Sequence, residues 1–361
     1  MKFLSEFRDP VLAKQLAAKL QKLAVRPITI MEICGTHTMA IARGAIRDVL
    51  PKELKLVSGP GCPVCVTPQG YVDEAIKLSR QKDVIIATFG DMLRVPGSLG
   101  SLLNEKNQGN DIRIVYSPLD ATKIALDNPN KQVVFLGIGF ETTAPIVGLA
   151  ILQAAQQGIN NYSVFSAHKV VPPAMQALVA DAELNIQGFL CPGHVSCVIG
   201  IEPYRFLAEQ YRTPAVIAGF EPIDILQGLL KLTELIMEKS PQVVNNYSRV
   251  VQQDGNPNAL AVMEQVFIKS HSAWRGIGVI TESGLAIRPQ YAKYDARFVF
   301  SLPHVDREMP SACNCGDILQ GKKTPPDCPL FRKLCTPENP IGACMVSGEG
   351  TCAAYYKYDL E

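Results

Sequence analysis

Cysteines are the residues of this 361-residue chain whose spacing most clearly suggests chemistry, and there are 11 of them. Cys62 and Cys65 form a CxxC pair inside GPGCPVC, and such a pair can hold a metal ion or cycle between dithiol and disulfide. Cys34 stands in CGTHT, close to His37. A thiolate stabilised there by a helix N-terminus or an imidazolium would be a nucleophile and a soft-metal ligand.

A second group of cysteines lies near the C-terminus, with the spacing Cys-x-Cys-x12-Cys-x6-Cys-x8-Cys-x7-Cys. Its members are Cys313, Cys315, Cys328, Cys335, Cys344 and Cys352. This spacing lacks the paired arms of a zinc ribbon and the CxxCxxC run of ferredoxins, so it does not identify the ligands. A short segment rich in Pro, Gly and Cys still requires a metal or disulfides to hold it together. An iron–sulfur cluster with four thiolate ligands is favoured over zinc and over disulfides.

Ionisable side chains accompany the first three thiols. His37, His168 and His194 all follow predicted strands, as does Glu141 in GFETT. Because ligands of open parallel sheets bind beyond the carboxyl ends of the strands, these groups could share one polar site. Each also has a simpler interpretation: the histidines as ordinary loop residues, Glu141 as a helix cap.

Short β-branched runs that alternate with helical patterns must position these side chains. Eight continuously apolar runs predict parallel strands covered on both faces, at 28–34, 54–58, 84–89, 112–116, 132–140, 162–166, 188–191 and 215–219. Helical patterns such as 70–79 and 174–182 lie between them. A helix at 258–270 and a hairpin of 274–280 with 285–288, turning at 281–284, are predicted to follow.

The first four strands and the next four resemble copies of each other. Thr38 would match Thr143 at an offset of 105 residues, and Gly90 would match Gly193 at an offset of 103. Such near-constant offsets predict an internal duplication. The predicted fold is α/β, with two similar parallel-sheet βα domains and a small Cys-rich C-terminal module. Its predicted divisions are an N-terminal helix (1–25), two α/β domains (26–128 and 129–300) and the module (301–361).

Composition excludes several classes of protein. Apolar residues make up 47% and charged residues 19%, which allows a large buried core. The 35 Lys and Arg against 34 Asp and Glu give a net charge of +1, which argues against nucleic-acid binding through a basic face. Without an apolar run of about 18 residues or a signal-peptide core, we expect no membrane span and a cytoplasmic location. In that reducing compartment, cysteines more often serve metals or redox chemistry.

These motifs, taken in order, resemble the HypD family of hydrogenase maturation factors. The resemblance rests on CGTHT at 34–38, GPGCPVC at 59–65, GFETT at 139–143, PGHVS at 192–196 and the tail that ends in CTPENPIGACMVSGEGTCAAYY. It covers essentially the whole chain. The resemblance implies [NiFe]-hydrogenase maturation, in which the chain and a small HypC-like chaperone form the scaffold for an Fe(CN)2CO group. A HypE-like protein would deliver cyanide as a thiocyanate.

The resemblance also implies roles for individual residues. Cys34 would bind the mononuclear iron, while Cys62 and Cys65 would line the same cleft as a redox-active pair and further possible ligands. Proton donors such as His37, Glu141 and His194 could assist. By analogy with ferredoxin–thioredoxin reductase, Cys313, Cys328, Cys335 and Cys352 would hold a [4Fe-4S] cluster, with Cys315 and Cys344 as an adjacent redox pair. Electrons would pass from the cluster through the two pairs to the iron.

Two other functions remain open on the sequence alone. An iron–sulfur-dependent thiol–disulfide oxidoreductase acting on protein substrates would require an exposed CxxC. A zinc-stabilised adaptor would carry no redox chemistry. We expect a scaffold for metallocofactor assembly with redox activity rather than a conventional turnover enzyme.

Overall fold

The structure, a computed structural model, describes residues 6–303 and 312–358. It is an α/β fold with two parallel sheets and one antiparallel hairpin, which confirms the predicted fold class. The strands are β1 Ile28–Glu32, β2 Leu54–Ser58, β3 Val84–Thr88, β4 Ile112–Ile114, β5 Gln132–Gly137, β6 Tyr162–Ser166, β7 Gly188–Pro192, β8 Ala215–Ala218, β9 Val243–Asn245, β10 Phe267–Trp274 and β11 Gly278–Ile287.

Helices fill the connections between strands. Sixteen α-helices lie within the described residues: α1 Pro10–Leu23, α2 Gly35–Arg43, α3 Ile46–Val49, α4 Pro63–Val66, α5 Gln69–Ser79, α6 Leu102–Asn107, α7 Pro118–Asp127, α8 Ala144–Gln157, α9 Val171–Ala180, α10 Gly193–Ile199, α11 Arg205–Glu209, α12 Pro222–Met237, α13 Pro257–Val266, α14 Ala296–Val299, α15 Cys315–Leu319 and α16 Thr351–Tyr358. Short 3-10 helices lie at Glu6–Arg8, Gly90–Arg94, Glu202–Tyr204, Pro289–Tyr294, Pro325–Asp327 and Ala343–Met345.

The two parallel sheets define two lobes. Sheet A has the strand order β2-β1-β7-β8-β9, and sheet B has the order β4-β3-β5-β6. Most of their strands are apolar and buried, as the continuous runs in the sequence predict. Sheet A and sheet B therefore each form a covered core layer.

The duplication is visible in strand order and register. Shifting each strand by four positions in chain order converts β2-β1-β7-β8 into β6-β5-β3-β4, which is sheet B read from its other edge. In β1 and β2, Ile28 pairs with Leu54, and in β5 and β6, Val133 pairs with Tyr162. The equivalent residues of the two pairs, Ile28 with Val133 and Leu54 with Tyr162, are 105 and 108 residues apart in sequence. The predicted four-strand repeat thus corresponds to a real structural repeat.

The lobes are not the two successive halves that the sequence predicts. β1 and β2 pair with β7 and β8, while β3 and β4 pair with β5 and β6. The predicted boundary between residues 128 and 129 consequently separates two strand pairs of the same sheet. The first half contributes two strands to each lobe, and the second half contributes two strands to sheet B and three to sheet A, so a linear division at 26–128 and 129–300 requires correction. The apolar pattern specifies a strand but not its partner, which is why the halves looked self-contained.

The hairpin begins earlier and turns elsewhere than predicted. α13 ends at Val266, and β10 and β11 are joined through residues 275–277 rather than 281–284. Gly276 and Gly278 have φ values of 71° and 102°, a conformation that favours glycine and supplies the turn. The hairpin forms its own two-stranded sheet and contacts the segment after β6 through Lys169 and Gly284.

The C-terminal module packs against sheet A rather than standing apart. Ile318, Leu319 and Met345 share an apolar core with Met31 and Val57 of that lobe. α16 lies against α2, and the guanidinium carbon of Arg47 in α3 is 4.6 Å from the centre of the Tyr355 ring of α16. No helix among the described residues is long and apolar enough to cross a membrane.

Candidate functional site

The end of β1 places Cys34 at the start of α2. Cys34 is the residue that precedes the helix, with extended backbone (φ −161°, ψ 121°). Its backbone N–H donates to Glu32 Oε2 at 3.0 Å, and the hydroxyl of Thr38 donates to the other oxygen of the same carboxyl. Glu32 is fully buried, so this carboxyl fixes the turn from within the protein.

The loop that follows β2 brings the CxxC pair against Cys34. A Cβ atom added to Gly61 would lie 2.2 Å from the Cys34 nitrogen, so only glycine allows this approach. The Gly61 carbonyl accepts a hydrogen bond from the Gly35 N–H at 2.9 Å. Cys62 and Cys65 follow directly and form a disulfide, and both are buried. Their sulfurs are bonded to each other, so neither is a metal ligand in this state.

The Cys34 thiol is buried and protonated. Burial raises its pKa to about 12, while the backbone N–H groups of His37 and Thr36 act in the opposite direction. The helix N-terminus therefore favours the thiolate but does not outweigh the loss of water. A positive metal ion is the kind of partner that compensates a thiolate in such surroundings.

The histidines of this site are neutral, so of the two predicted ways of stabilising the Cys34 thiolate, a helix N-terminus or an imidazolium, the second does not apply here. Burial lowers the pKa of His37 to about 4, and its Nε2 lies 2.9 Å from the Gly219 carbonyl oxygen, to which it donates. His194 is exposed and stacks on Phe220 with ring centres 4.1 Å apart. The centre of the His37 ring lies 4.8 Å from the centre of the same Phe220 ring, so Phe220 contacts both imidazoles.

Glu141 enters from the other lobe, after β5. It is 2% exposed, and its Oε1 accepts a hydrogen bond from the Val171 N–H at 2.9 Å. Its Oε2 has no hydrogen-bond partner, and burial raises the pKa of the carboxyl to about 7. Burial raises the pKa of the Tyr204 phenol well above its ordinary value, and negative charge on Cys191, Glu141 or Cys34 would raise it further, so this carboxyl and the thiol both lie within electrostatic reach of Tyr204.

The C-terminal cysteines converge around one small cavity. Its lining includes all four predicted cluster ligands, Cys313, Cys328, Cys335 and Cys352, together with Cys344. The sulfurs of Cys315 and Cys344 are 2.8 Å apart. Four thiolates are the donor set of a [4Fe-4S] cluster, and the residues present fit that group. In the part of the chain that the structure describes, no three His, Cys, Asp or Glu side chains are placed to hold a single metal ion.

Contacts connect this module to the Cys34 loop. The Cys65 sulfur lies 3.9 Å from the carbonyl oxygen of Ala343, the residue before Cys344. Arg275 donates from Nε to the Thr67 carbonyl at 2.7 Å and lines a cavity of about 810 Å³ beside Cys313 and Cys315. The two cysteine pairs are therefore neighbours in space although they lie far apart in the chain.

Not every predicted residue joins this site. His168 lines a different cavity, under the hairpin, with Lys169.

Two residues that sequence reasoning missed do join the site around Cys34. Glu349 Oε1 accepts from the Thr36 hydroxyl at 2.6 Å, and Glu32 holds the Cys34 turn. A charged residue inside an apolar strand could have indicated Glu32, but nothing in the sequence relates Glu349 to a residue more than 300 positions earlier.

Comparisons with known proteins show which family of sequences this chain resembles. The model of the family described as "HypD: Hydrogenase formation hypA family" matches residues 11–359. The chain is 47% identical to the hydrogenase maturation factor HypD of Rhodobacter capsulatus, covering 99% of this chain and 98% of that protein. It is 48% identical to the hydrogenase expression/formation protein HupD of Azotobacter chroococcum, over 99% and 97% of the two chains. It is 43% identical to HypD of Escherichia coli K12, over 99% and 98%.

Proposed function

Since the chain belongs to the HypD family, we propose that it acts in [NiFe]-hydrogenase maturation as a scaffold on which an Fe(CN)2CO group is assembled. The observation that carries the proposal is the contact between the Cys34 turn and the loop bearing Cys62 and Cys65. This contact brings the Cys34 thiol beside Cys62 and Cys65, which supports the proposal that a metal-binding thiol acts next to a redox-active pair. A HypC-like chaperone would supply a further thiolate, and a HypE-like protein the cyanide.

Cys34 is the residue proposed to bind the iron substrate. Low-spin iron(II) with cyanide and carbonyl ligands prefers a soft thiolate to oxygen donors. The N–H groups of Thr36 and His37 favour the thiolate form, and Glu32 orients the turn. Burial of the sulfur keeps water from competing as a ligand.

Cys62 and Cys65 are proposed to supply electrons for cyanide transfer. Cleavage of a thiocyanate S–C bond gives cyanide and a sulfur that needs two electrons to become a thiolate. A Cys62–Cys65 dithiol supplies both electrons as it closes to the disulfide and releases two protons, one of which the departing thiolate can take. Glu141 and His194 are candidate proton carriers for this step.

Cys315 and Cys344 are proposed to regenerate that dithiol. Attack by one thiolate on the Cys62–Cys65 bond forms a mixed disulfide and releases one sulfur of the pair. The second thiol then displaces the other sulfur, which leaves a Cys315–Cys344 disulfide. The approach of Cys65 to Ala343 supports this route. A [4Fe-4S] cluster held by Cys313, Cys328, Cys335 and Cys352 would be the source of reducing electrons.

Burial of the CxxC pair disfavours the alternative, a thiol–disulfide oxidoreductase for protein substrates. Cys62 is 4% exposed and Cys65 is fully buried. A folded substrate protein could not reach either sulfur without opening the site.

The test replaces Cys34 with alanine and copurifies the protein anaerobically with its HypC-like partner. Infrared spectra of the wild-type complex should contain cyanide and carbonyl stretches, and those of Cys34→Ala should not. Cys191→Ala, a fully buried cysteine on the neighbouring strand β7, is the matched control and should keep the bands. Persistent bands in Cys34→Ala would show that this thiol is not an essential ligand.

A further inference from the structure

We propose that Arg275 makes the [4Fe-4S] cluster of the C-terminal module easier to reduce, by fixing a positive charge between that module and the loop after Cys65. The inference rests on the proposed function, because it requires the cluster assigned above to four of the C-terminal cysteines. Arg275 directly follows β10, so the turn of the hairpin determines where its side chain begins.

Two hydrogen bonds hold Arg275 against the residues that follow the CxxC pair. Its backbone N–H donates to the Val66 carbonyl at 2.9 Å, and its Nε donates to the Thr67 carbonyl at 2.7 Å. Val66 is the residue directly after Cys65. Because both acceptors are neutral carbonyl groups, these bonds position the guanidinium without neutralising its charge.

The turn that carries Arg275 also packs against α15 of the C-terminal module. Gly276 lies so close to Gly316 that a Cβ atom added to Gly276 would be 2.2 Å from the Gly316 Cα. The Gly276 carbonyl accepts a hydrogen bond from Gln320 Nε2 at 2.7 Å. Gly316 is the second residue of α15, which begins at Cys315. The neighbour of Arg275 in the chain therefore contacts the neighbour of Cys315.

The guanidinium keeps its positive charge beside two of the C-terminal cysteines. Arg275 lines a cavity together with Cys313 and Cys315, and its Nη2 is buried without a hydrogen-bond partner among the described residues. Asp317, a carboxylate on the same lining, pairs with Lys323 at 2.7 Å instead.

The thiol of Cys313 is within electrostatic reach of this charge. A hydrogen bond with Cys315 and burial raise the pKa of Cys313, while the positive charge of Arg275 acts in the opposite direction. Cys313 is one of the four proposed cluster ligands. A charge that acts on this sulfur also acts on a cluster bound to it.

The sign of the effect follows from the charge of the cluster. Four thiolates outweigh the positive charge of a [4Fe-4S] core, so the cluster is anionic, and one-electron reduction makes it more so. A positive charge nearby stabilises the more negative form, most strongly where little water screens it. Arg275 should therefore raise the reduction potential, which lets a weaker one-electron donor reduce the cluster.

The test measures this potential in Arg275→Gln, which removes the charge but keeps an amide that can donate to the Thr67 carbonyl. The full-length protein is purified anaerobically, and its iron and labile sulfide are determined. Titration with dithionite and redox mediators is then followed by electron paramagnetic resonance. At the wild-type midpoint, the ratio of reduced to oxidised cluster should fall about tenfold, the effect of one charge across ~10 Å of protein. This corresponds to a potential lower by about 59 mV.

Two further variants separate the charge of Arg275 from its packing and from the net charge of the module. Arg275→Lys keeps the charge, so its ratio should stay within about threefold of wild type. Lys333→Gln removes an exposed positive charge of the same module and should change the ratio less than about twofold, because water and salt screen it. An unchanged potential in Arg275→Gln, or an equal fall in all three variants, would overturn the proposal.

Gln69→Glu tests the same charge without altering Arg275, and it replaces Arg275→Gln if that variant does not retain its cluster. Gln69 lines the cavity with Arg275 and is the first residue of α5, where a carboxylate suits the helix N-terminus. The new carboxylate should offset the guanidinium and lower the ratio in the same direction. An unchanged ratio would contradict the proposal.

The iron and sulfide analysis distinguishes failure of this inference from failure of the proposed function. Wild-type protein without labile sulfide would overturn the cluster and the role of Arg275 together. A cluster whose potential does not respond to these variants would overturn the role of Arg275 alone and leave the proposed function intact.

Discussion

Glu32 and Glu141 are carboxyl groups that the fold removes from water, and burial raises the pKa of each to about 7. Glu32 has hydrogen-bond donors on both oxygens, whereas one oxygen of Glu141 has none. An unfolded chain loses the carboxyl proton near the ordinary pKa, well before the folded protein does. Each group therefore reduces the free energy of unfolding as the pH rises between these two values.

This difference predicts how Glu141→Gln changes stability with pH. Glutamine keeps the shape of the side chain but never ionises, so the variant avoids the loss that the wild type incurs between pH 4.5 and about 7. Relative to wild type, its free energy of unfolding should rise across this window by about 3 kcal/mol at most. Urea unfolding at a series of pH values measures the difference.

Glu183→Gln is the control for this experiment, because the Glu183 side chain is 82% exposed. Its difference from wild type should stay flat over the same range of pH. A flat profile for Glu141→Gln as well would mean that the buried carboxyl does not retain its proton in the folded state.

Spacing predicted the thiols of the site but not the groups that surround them. The CxxC pair and Cys34 were recognisable because their residue types are rare at strand ends. The positions of Glu349 and Arg275 depend on how distant elements pack, as does the convergence of five cysteines on one cavity. The sequence also left open whether a helix N-terminus or an imidazolium would stabilise the Cys34 thiolate, and burial makes His37 neutral.

Secondary structure elements were predicted more completely than individual contacts. The runs at 54–58 and 162–166 match β2 and β6 to the residue, and most other strands end one to three residues early. The predicted ends lie too far along the chain because the first loop residues after these strands, such as Ile33, Val115 and Ile138, are still apolar. The hairpin was misplaced since its turn depends on the conformations of Gly276 and Gly278, which composition does not reveal.

The site depends on the close approach of Gly61, after β2, to Cys34, after β1. The variant Gly61→Ala tests this contact. The added methyl carbon would lie 2.2 Å from the Cys34 nitrogen and 2.5 Å from its Cα, and backbone atoms cannot move aside cheaply. The ends of β1 and β2 must then separate. We expect a loss of about 2–3 kcal/mol in the free energy of unfolding, measured by thermal or urea denaturation.

Gly90→Ala is the matched control, since the nearest atom to its added Cβ is Ile114 Cγ2 at 3.9 Å. It should unfold within about 0.5 kcal/mol of wild type. If Gly61→Ala were equally harmless, the tight approach between the CxxC loop and Cys34 would not exist in solution.

At the scale of the whole molecule, duplication and strand exchange together explain the architecture. Each repeat of four strands gives its first pair to one sheet and its second pair to the other. The inner partners β1 with β7 and β3 with β5 both join strands from different repeats. The sequence revealed the repeat, because the two copies conserve the spacing of their motifs. It did not reveal the exchange of strands, because β1 and β3 have the same apolar character. Either strand could therefore have paired with strands of the first repeat alone.

The exchange predicts the behaviour of the chain when it is divided between residues 128 and 129. The fragment 1–128 contains β1 to β4. Residues 129–361 provide the remaining strands of both parallel sheets, β7 to β9 in sheet A and β5 and β6 in sheet B. Neither fragment should therefore unfold cooperatively as a monomer, since each exposes the inner edges of two half-sheets. Mixing or coexpressing the two should restore a stoichiometric complex with wild-type near-ultraviolet circular dichroism. Size-exclusion chromatography with denaturant unfolding distinguishes the cases, and two separately folded monomers would show that the halves are independent domains after all.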